Sequence, residues 1–304
     1  MRGRVLPDIM SDGTNILKNL KPAREFFIGI DSDGCVFDTM EIKHKECFIP
    51  VFIKHFHLQA ASKFARETWE FVNLYSKTRG MNRFPALSRT LNLLRNRPEV
   101  NARRVVIPDT TSLDAWIARE NKLTNATLKT AAAGDAFLQQ VLEWSVDVNK
   151  AIATLVHGVP PFPWFRESLE KMIKHADVVV VSQTPTEALV REWAEHNIAD
   201  CVRAIAGQEL GTKAEHIALA AGGKYRAGRI LMIGDAPGDY KAARANNALF
   251  YPINPGHEEA SWELFFKEAL DRFFSGSYSG DYEAELLRRF EQCLPEQPPW
   301  ASRS

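Results

Sequence analysis

The chain has 304 residues, with 38 Lys plus Arg balanced by 38 Asp plus Glu, so no net charge draws it toward nucleic acid or an acidic membrane. A hydrophobic content of 45% fits a water-soluble protein of one large or two medium domains, and no apolar run is long enough to span a membrane. Cys35, Cys47, Cys201 and Cys293 lack CxxC or metal-site spacing, which reads as reduced thiols and not as a disulfide framework or zinc site.

Residues 1–24 form a polar arm broken by Pro7, Gly13 and Pro22, expected to lie on the surface. Met1 to Lys21 lacks the apolar core of a secretory signal, so a cytoplasmic protein is expected. Phe26 to Thr39 reads FFIGIDSDGCVFDT, an apolar run suited to a buried strand that ends in Asp31, Asp33 and the turn residue Gly34. Acids at i and i+2 of a strand end point the same way. Like charges that close need a shared proton or a cation, and a hard divalent metal is the simplest remedy. Cys35 lies beside these acids without an evident base, so a catalytic thiol is not expected.

Residues 41–159 change to helical spacing. Phe64, Phe71 and Tyr75 form one apolar stripe, Leu87, Leu91 and Leu94 another, and Phe137, Val141, Trp144, Val148, Ile152 and Leu155 a longer third. Thr78-Arg79-Gly80, Pro98, Pro108 and Gly134 mark turns, and Gly158 to Pro163 a stiff connector. His44, His55 and His57 lack metal spacing and are expected on the surface or facing a neighbouring domain.

Alternation then resumes. Strands are expected at Val178–Val181, Val202–Ala206, Ile230–Ile233 and Ala248–Ile253, separated by helices. Such alternation predicts a parallel sheet, which binds ligands beyond the carboxyl ends of its strands. Asp31, Ser182 and Asp235 all occupy such ends. Thr184-Pro-Thr-Glu187 has the form of a capping box with Pro at the first helical position, leaving free N–H groups after Ser182 where a phosphate could dock. Lys213 opens another helix after Gly211-Thr212, and Gly234-Asp235 is followed by Asp239. Beyond Asn254, the pattern of Trp262, Phe265, Phe266, Phe273 and Phe274 suits core packing, with self-association as the alternative.

In this order, Asp31-x-Asp33-Gly34-x-x-x-Asp38, Ser182, Lys213 and Gly234-Asp235-x-x-x-Asp239 resemble the four motifs of the haloacid dehalogenase superfamily of phosphohydrolases. The resemblance covers about 26–54 and 162–252. It implies an α/β, Rossmann-like core (25–40 and 160–304, with a C-terminal extension) and an all-helical cap inserted at 41–159. By the same resemblance Asp31 is the nucleophile, forming an aspartyl-phosphate, and Asp33 the acid and base. Mg²⁺ is held by Asp31, Asp235 and the backbone carbonyl of Asp33, with Asp239 in or just behind the coordination shell. Ser182, with Gln183 beside it, and Lys213 hold the phosphoryl oxygens. An intact Asp33 favours phosphate esters over the dehalogenase and phosphonate-cleaving branches. The substrate is then a small phosphorylated metabolite, with phosphomutase as the alternative reaction and a non-catalytic binding protein as a third reading. In the insertion, Arg79 and Arg83 flank Gly80 and are expected to grip a second anionic group of the substrate.

Overall fold

Strands β1 (Phe26–Ile30), β2 (Ala176–Val181) and β4 (Ile230–Gly234) are buried at every position, as parallel strands covered on both faces must be. With β3 (Ala204–Ala206) and β5 (Leu249–Pro252), they form one parallel sheet in the order β3-β2-β1-β4-β5. The computed structural model describes residues 13–301. Two of the five strands are shorter than predicted. A 3-10 turn at Ala199–Cys201 delays β3, and β5 omits Ala248 and Ile253. Register aligns Ile30 with both Val180 and Ile233, so the residues following β1, β2 and β4 emerge at one end of the sheet.

The chain divides into two units, residues 1–38 with 158–292 and residues 39–157 with 293–304. The sheet unit alternates its strands with α1 (Phe165–His175), α2 (Thr186–Glu195), α3 (Lys213–Ala221) and α4 (Pro237–Ala245). Its C-terminal aromatics pack inward: Trp262, Phe265 and Phe273 share a buried cluster with Phe26, Ile28 and Ile30. Phe26 meets Phe273 and Phe274 edge-on at 5.0 and 4.9 Å.

The arm from Gly13 onward is not a loose surface segment. Leu17 and Leu20 are buried, Lys224 Nζ donates to the Leu17 and Lys18 carbonyls, and Asp177 accepts from the Ala23 and Arg24 amides. The break expected at Pro7 lies outside the described residues.

In the helical unit, Ala136–Leu155 is the longest helix, and Val141, Trp144 and Val148 of its predicted stripe are buried. Leu155, the last residue of that stripe, is exposed. Trp144, Trp69, Phe48 and Phe52 form an aromatic centre in which Phe48 stacks on Trp69 and Trp144 meets Trp69 edge-on. His44 belongs to it instead of the surface, accepting from Trp69 Nε1 at 3.0 Å and stacking on Phe48. The tail from Cys293 groups with this unit and not with the sheet, because Trp300 packs edge-on to Phe71 and under the Arg97 guanidinium. Among the described residues, no helix is long and apolar enough to cross a membrane.

Candidate active site

Asp31 continues β1 by one backbone bond, its N–H donating to the Ile233 carbonyl at 3.0 Å. The chain then turns sharply, with the Val36 and Phe37 amides both donating to the Ser32 carbonyl and Gly34 at φ 73°. This turn ends strand alternation at Ser32, and the side-chain bonds of the two acids run to different elements. Asp31 accepts from Lys213 Nζ at 2.6 Å and from the Ser32 amide at 2.7 Å. Asp33 accepts from the Thr184 hydroxyl at 2.6 Å.

The acids that join Asp31 are Asp235 and Asp239. All three are buried, with carboxylate oxygens within 4.8 Å of one another. Asp239 sits in the first turn of α4, where its carboxylate accepts from the Ala236 amide at 3.0 Å and from Lys213 Nζ at 2.5 Å. Gly234 makes room for it: a Cβ there would lie 2.4 Å from that of Asp239. Lys213 is delivered by a capping box, in which Thr212 accepts from the Glu215 amide and Glu215 accepts from the Thr212 amide. Gly211 precedes it at φ +120°, a conformation side chains rarely adopt.

Three carboxylates face one ammonium. Burial pushes Asp31 up to about 6, with the Lys213 charge opposing and the Asp239 charge adding to the rise. Burial also raises Asp239. Burial works to lower Lys213, but Asp239 and Asp31 outweigh it and hold the ammonium charged. A compact set of hard oxygen donors with excess negative charge fits a divalent cation such as Mg²⁺. The Asp33 carboxylate is outside this cluster, so any part it has at a metal is through its backbone. Burial and the neighbouring Asp235 and Asp31 charges raise the Cys35 thiol well above its ordinary range, which leaves it inert.

Ser182 follows β2, is buried, and accepts from the Thr184 amide at 3.2 Å. Gln183 is exposed, and its amide donates to the Gly211 carbonyl at 3.0 Å, tying it to the turn before Lys213. The capping box predicted after Ser182 does not form. Pro185 itself occupies the cap position, and the Thr184 hydroxyl bonds Asp33 instead. The Thr186 amide expected to be free donates to Glu209 at 2.9 Å, so a carboxylate of the protein already occupies that helix start. Thr184 is the site residue that sequence reasoning missed, because its pattern suggested a local cap. Asp38 is exposed.

Arg79 and Arg83, expected to grip an anionic group of the substrate, are each engaged by groups of the helical unit. Arg79 is buried and donates to the Leu74 carbonyl at 2.9 Å. Arg83 donates to Asn149 Oδ1 at 2.7 Å and Ser145 Oγ at 3.0 Å, lies over the Phe48 ring, and is lowered to about 10 by burial. The guanidinium groups find carbonyl, amide and ring partners within the helical unit, which turns them inward. Gly80 lies in the expected turn and adopts a left-handed φ of 76°.

No family model matches the chain, and no curated protein matches it. Among solved structures, it is similar to a protein assigned as a phosphoglycolate phosphatase from Lactobacillus delbrueckii (16% identity, 80% of this chain and 92% of that one, TM-score 0.49). A haloacid dehalogenase-like family hydrolase from Streptococcus pneumoniae also matches (13% identity, 78% and 90%, TM-score 0.43). So does a protein assigned as a β-phosphoglucomutase from Bacteroides vulgatus (14% identity, 92% and 97%, TM-score 0.37). At these scores the assignment is left to the geometry of the site.

Proposed function

We propose that this chain is a Mg²⁺-dependent phosphatase of the haloacid dehalogenase type, acting on a small phosphorylated metabolite. The observation that carries the reading is the Lys213 ammonium bridging Asp31 and Asp239, with Asp235 alongside and Asp33 held apart by Thr184. The three buried carboxylates, their oxygens within 4.8 Å of one another and two of them bridged by the Lys213 ammonium, are hard oxygen donors that suit a divalent metal ion.

In this reading an Asp31 carboxylate oxygen attacks phosphorus and the bond to the ester oxygen breaks, leaving an aspartyl-phosphate. Asp33 gives its proton to the departing oxygen. It then takes one from the water that displaces phosphate from Asp31, so both residues return to their starting states. The Thr184 hydroxyl orients Asp33 for both transfers. Burial raises the Asp31 carboxyl, and the Lys213 ammonium at 2.6 Å opposes that rise and favours the ionised form that attacks. Lys213 and the Ser182 hydroxyl hold phosphoryl oxygens, one by charge and one by hydrogen bond. Mg²⁺, held by Asp31, Asp235 and the Asp33 carbonyl with Asp239 adjacent, would supply neutralisation of the phosphoryl charge.

The test is a phosphate-release screen over sugar phosphates, nucleotides, phosphorylated acids and p-nitrophenyl phosphate, with Asp31→Asn as background. Turnover should need Mg²⁺ and fall about a thousandfold or more in Asp31→Asn, which keeps its fold but has no nucleophile. Retention of more than a few per cent of activity by that variant would refute the mechanism.

A further inference from the structure

The loop that carries Asp31 and Asp33 is fastened by two indole N–H groups from outside it. Trp193, on α2, donates to Ser32 Oγ at 3.0 Å, and Ser32 passes its own hydroxyl proton toward Glu192 Oε2 at 3.2 Å. Trp262, in the helix Glu258–Leu264 of the C-terminal segment, donates to the Cys35 carbonyl at 2.7 Å. Both tryptophans are fully buried. Phe165, at the start of α1, meets both edge-on, with centroids 5.9 Å from Trp193 and 5.0 Å from Trp262. Phe37, from the same loop, meets Trp193 edge-on at 6.0 Å. Three elements far apart in sequence thus build one aromatic lattice, and its two indole N–H groups touch the loop at the residue after Asp31 and the second residue after Asp33.

We propose that Trp193 and Trp262 are positioning residues for phosphoryl transfer, fixing the loop so that Asp31 and Asp33 keep their separate partners. The proposal rests on the phosphatase reading above and extends it to the C-terminal segment, whose Trp262 becomes part of the active-site scaffold. The physical case is that the loop has little regular structure of its own. Its internal bonds are few: the Ser32 carbonyl accepts from the Cys35, Val36 and Phe37 amides and the Phe37 carbonyl from the Gly34 amide, while the Phe162 amide holds the Val36 carbonyl from outside. Those bonds gather on the far side of the turn, at Val36 and Phe37. The two rigid indole donors add anchors at Ser32 and Cys35, on either side of Asp33. Small displacements of reacting groups lower rate steeply, whereas binding of a small ester depends less on them.

The test compares Trp193→Phe and Trp262→Phe, which keep an aromatic ring and lose the N–H, with Trp144→Phe as control. Trp144 is a buried tryptophan whose indole N–H has no partner, so its replacement removes no such bond. Two measurements are needed: amide hydrogen exchange across 31–38, which requires no substrate, and kcat and KM for p-nitrophenyl phosphate. Each loop variant should raise exchange in 31–38 and lower kcat about tenfold, with KM nearly unchanged. The control should do neither. Ser32→Ala combined with Trp193→Phe should be no worse than the poorer single variant, since the indole acts through that hydroxyl. Wild-type kcat in both loop variants overturns the positioning role, and wild-type exchange overturns the fastening itself. Absence of Asp31-dependent turnover in the unmutated protein overturns the phosphatase reading instead, while the exchange result still decides whether the loop is pinned.

Discussion

The sheet unit and the helical unit both bury charged side chains, and they handle them in opposite ways. In the helical unit every buried cation named above is satisfied close by. Arg97 pairs with Glu67 and Glu99, reaches Thr68 Oγ1 at 3.3 Å, and stacks against Phe64 and Trp300. Arg79 and Arg83 are tied to carbonyls and amides. The sheet unit can do the same: Asp177 is satisfied by Arg203, Tyr225 and two backbone amides. At the carboxyl ends of β1 and β4, however, it gathers three acids around one lysine. Cations tied to local partners hold a structure, whereas carboxylates clustered at strand ends offer oxygen donors to a ligand. Burial alone does not distinguish the two.

The sharpest way to break this contrast is Lys213→Met. It should lower activity a hundredfold or more at saturating Mg²⁺, through loss of the phosphoryl clamp. It should also lower the melting temperature in chelator, with most of the loss recovered on adding Mg²⁺, since the unpaired acids then gain a cation. A melting loss that Mg²⁺ leaves untouched would make Lys213 an ordinary structural cation. Arg97→Ala should give the opposite signature: a lower midpoint in denaturant titration, because a buried guanidinium loses its contacts with Phe64, Trp300 and the Thr68 hydroxyl as well as its two part-exposed carboxylate partners. Its folded fraction should hydrolyse p-nitrophenyl phosphate at the normal rate. A normal denaturation midpoint for this variant would remove the helical half of the comparison. The smallest expected effect belongs to Thr184→Val, which keeps shape and loses one charge-assisted hydrogen bond. It should slow alkyl phosphate esters about tenfold. With p-nitrophenyl phosphate, whose leaving group needs no proton, the loss should be smaller, and equal losses on both would detach Thr184 from the acid role of Asp33.

What could be read from the sequence was what repeats locally. A short apolar run that stops at an acid places Asp31 and Asp235 at strand ends, and parallel alternation puts those ends together. Lys213 was legible because it opens a helix after Gly211-Thr212. Contacts chosen by tertiary packing were not legible. The Thr184-Pro185-Thr186-Glu187 pattern suggests a cap, but Asp33 and Glu209 win its hydroxyl and amide groups from far along the chain. The basic turn at Arg79 and Arg83 suggests a grip on a substrate anion, yet a guanidinium's direction depends on which carbonyls and rings the neighbouring helices present. The indole bonds of Trp193 and Trp262 were hidden for the same reason: their spacing records only that they are buried.

The central claim is that Asp31 takes the phosphoryl group and Asp33 completes the reaction, and Asp33→Asn isolates it. With p-nitrophenyl phosphate the first step needs no acid, but release from Asp31 still needs a base for water. Mass spectrometry of the acid-quenched Asp33→Asn protein should therefore find a phosphoryl adduct that maps to Asp31 and persists after turnover has stopped. An adduct on another residue, or no adduct while the wild-type protein turns over the same ester, would contradict the account.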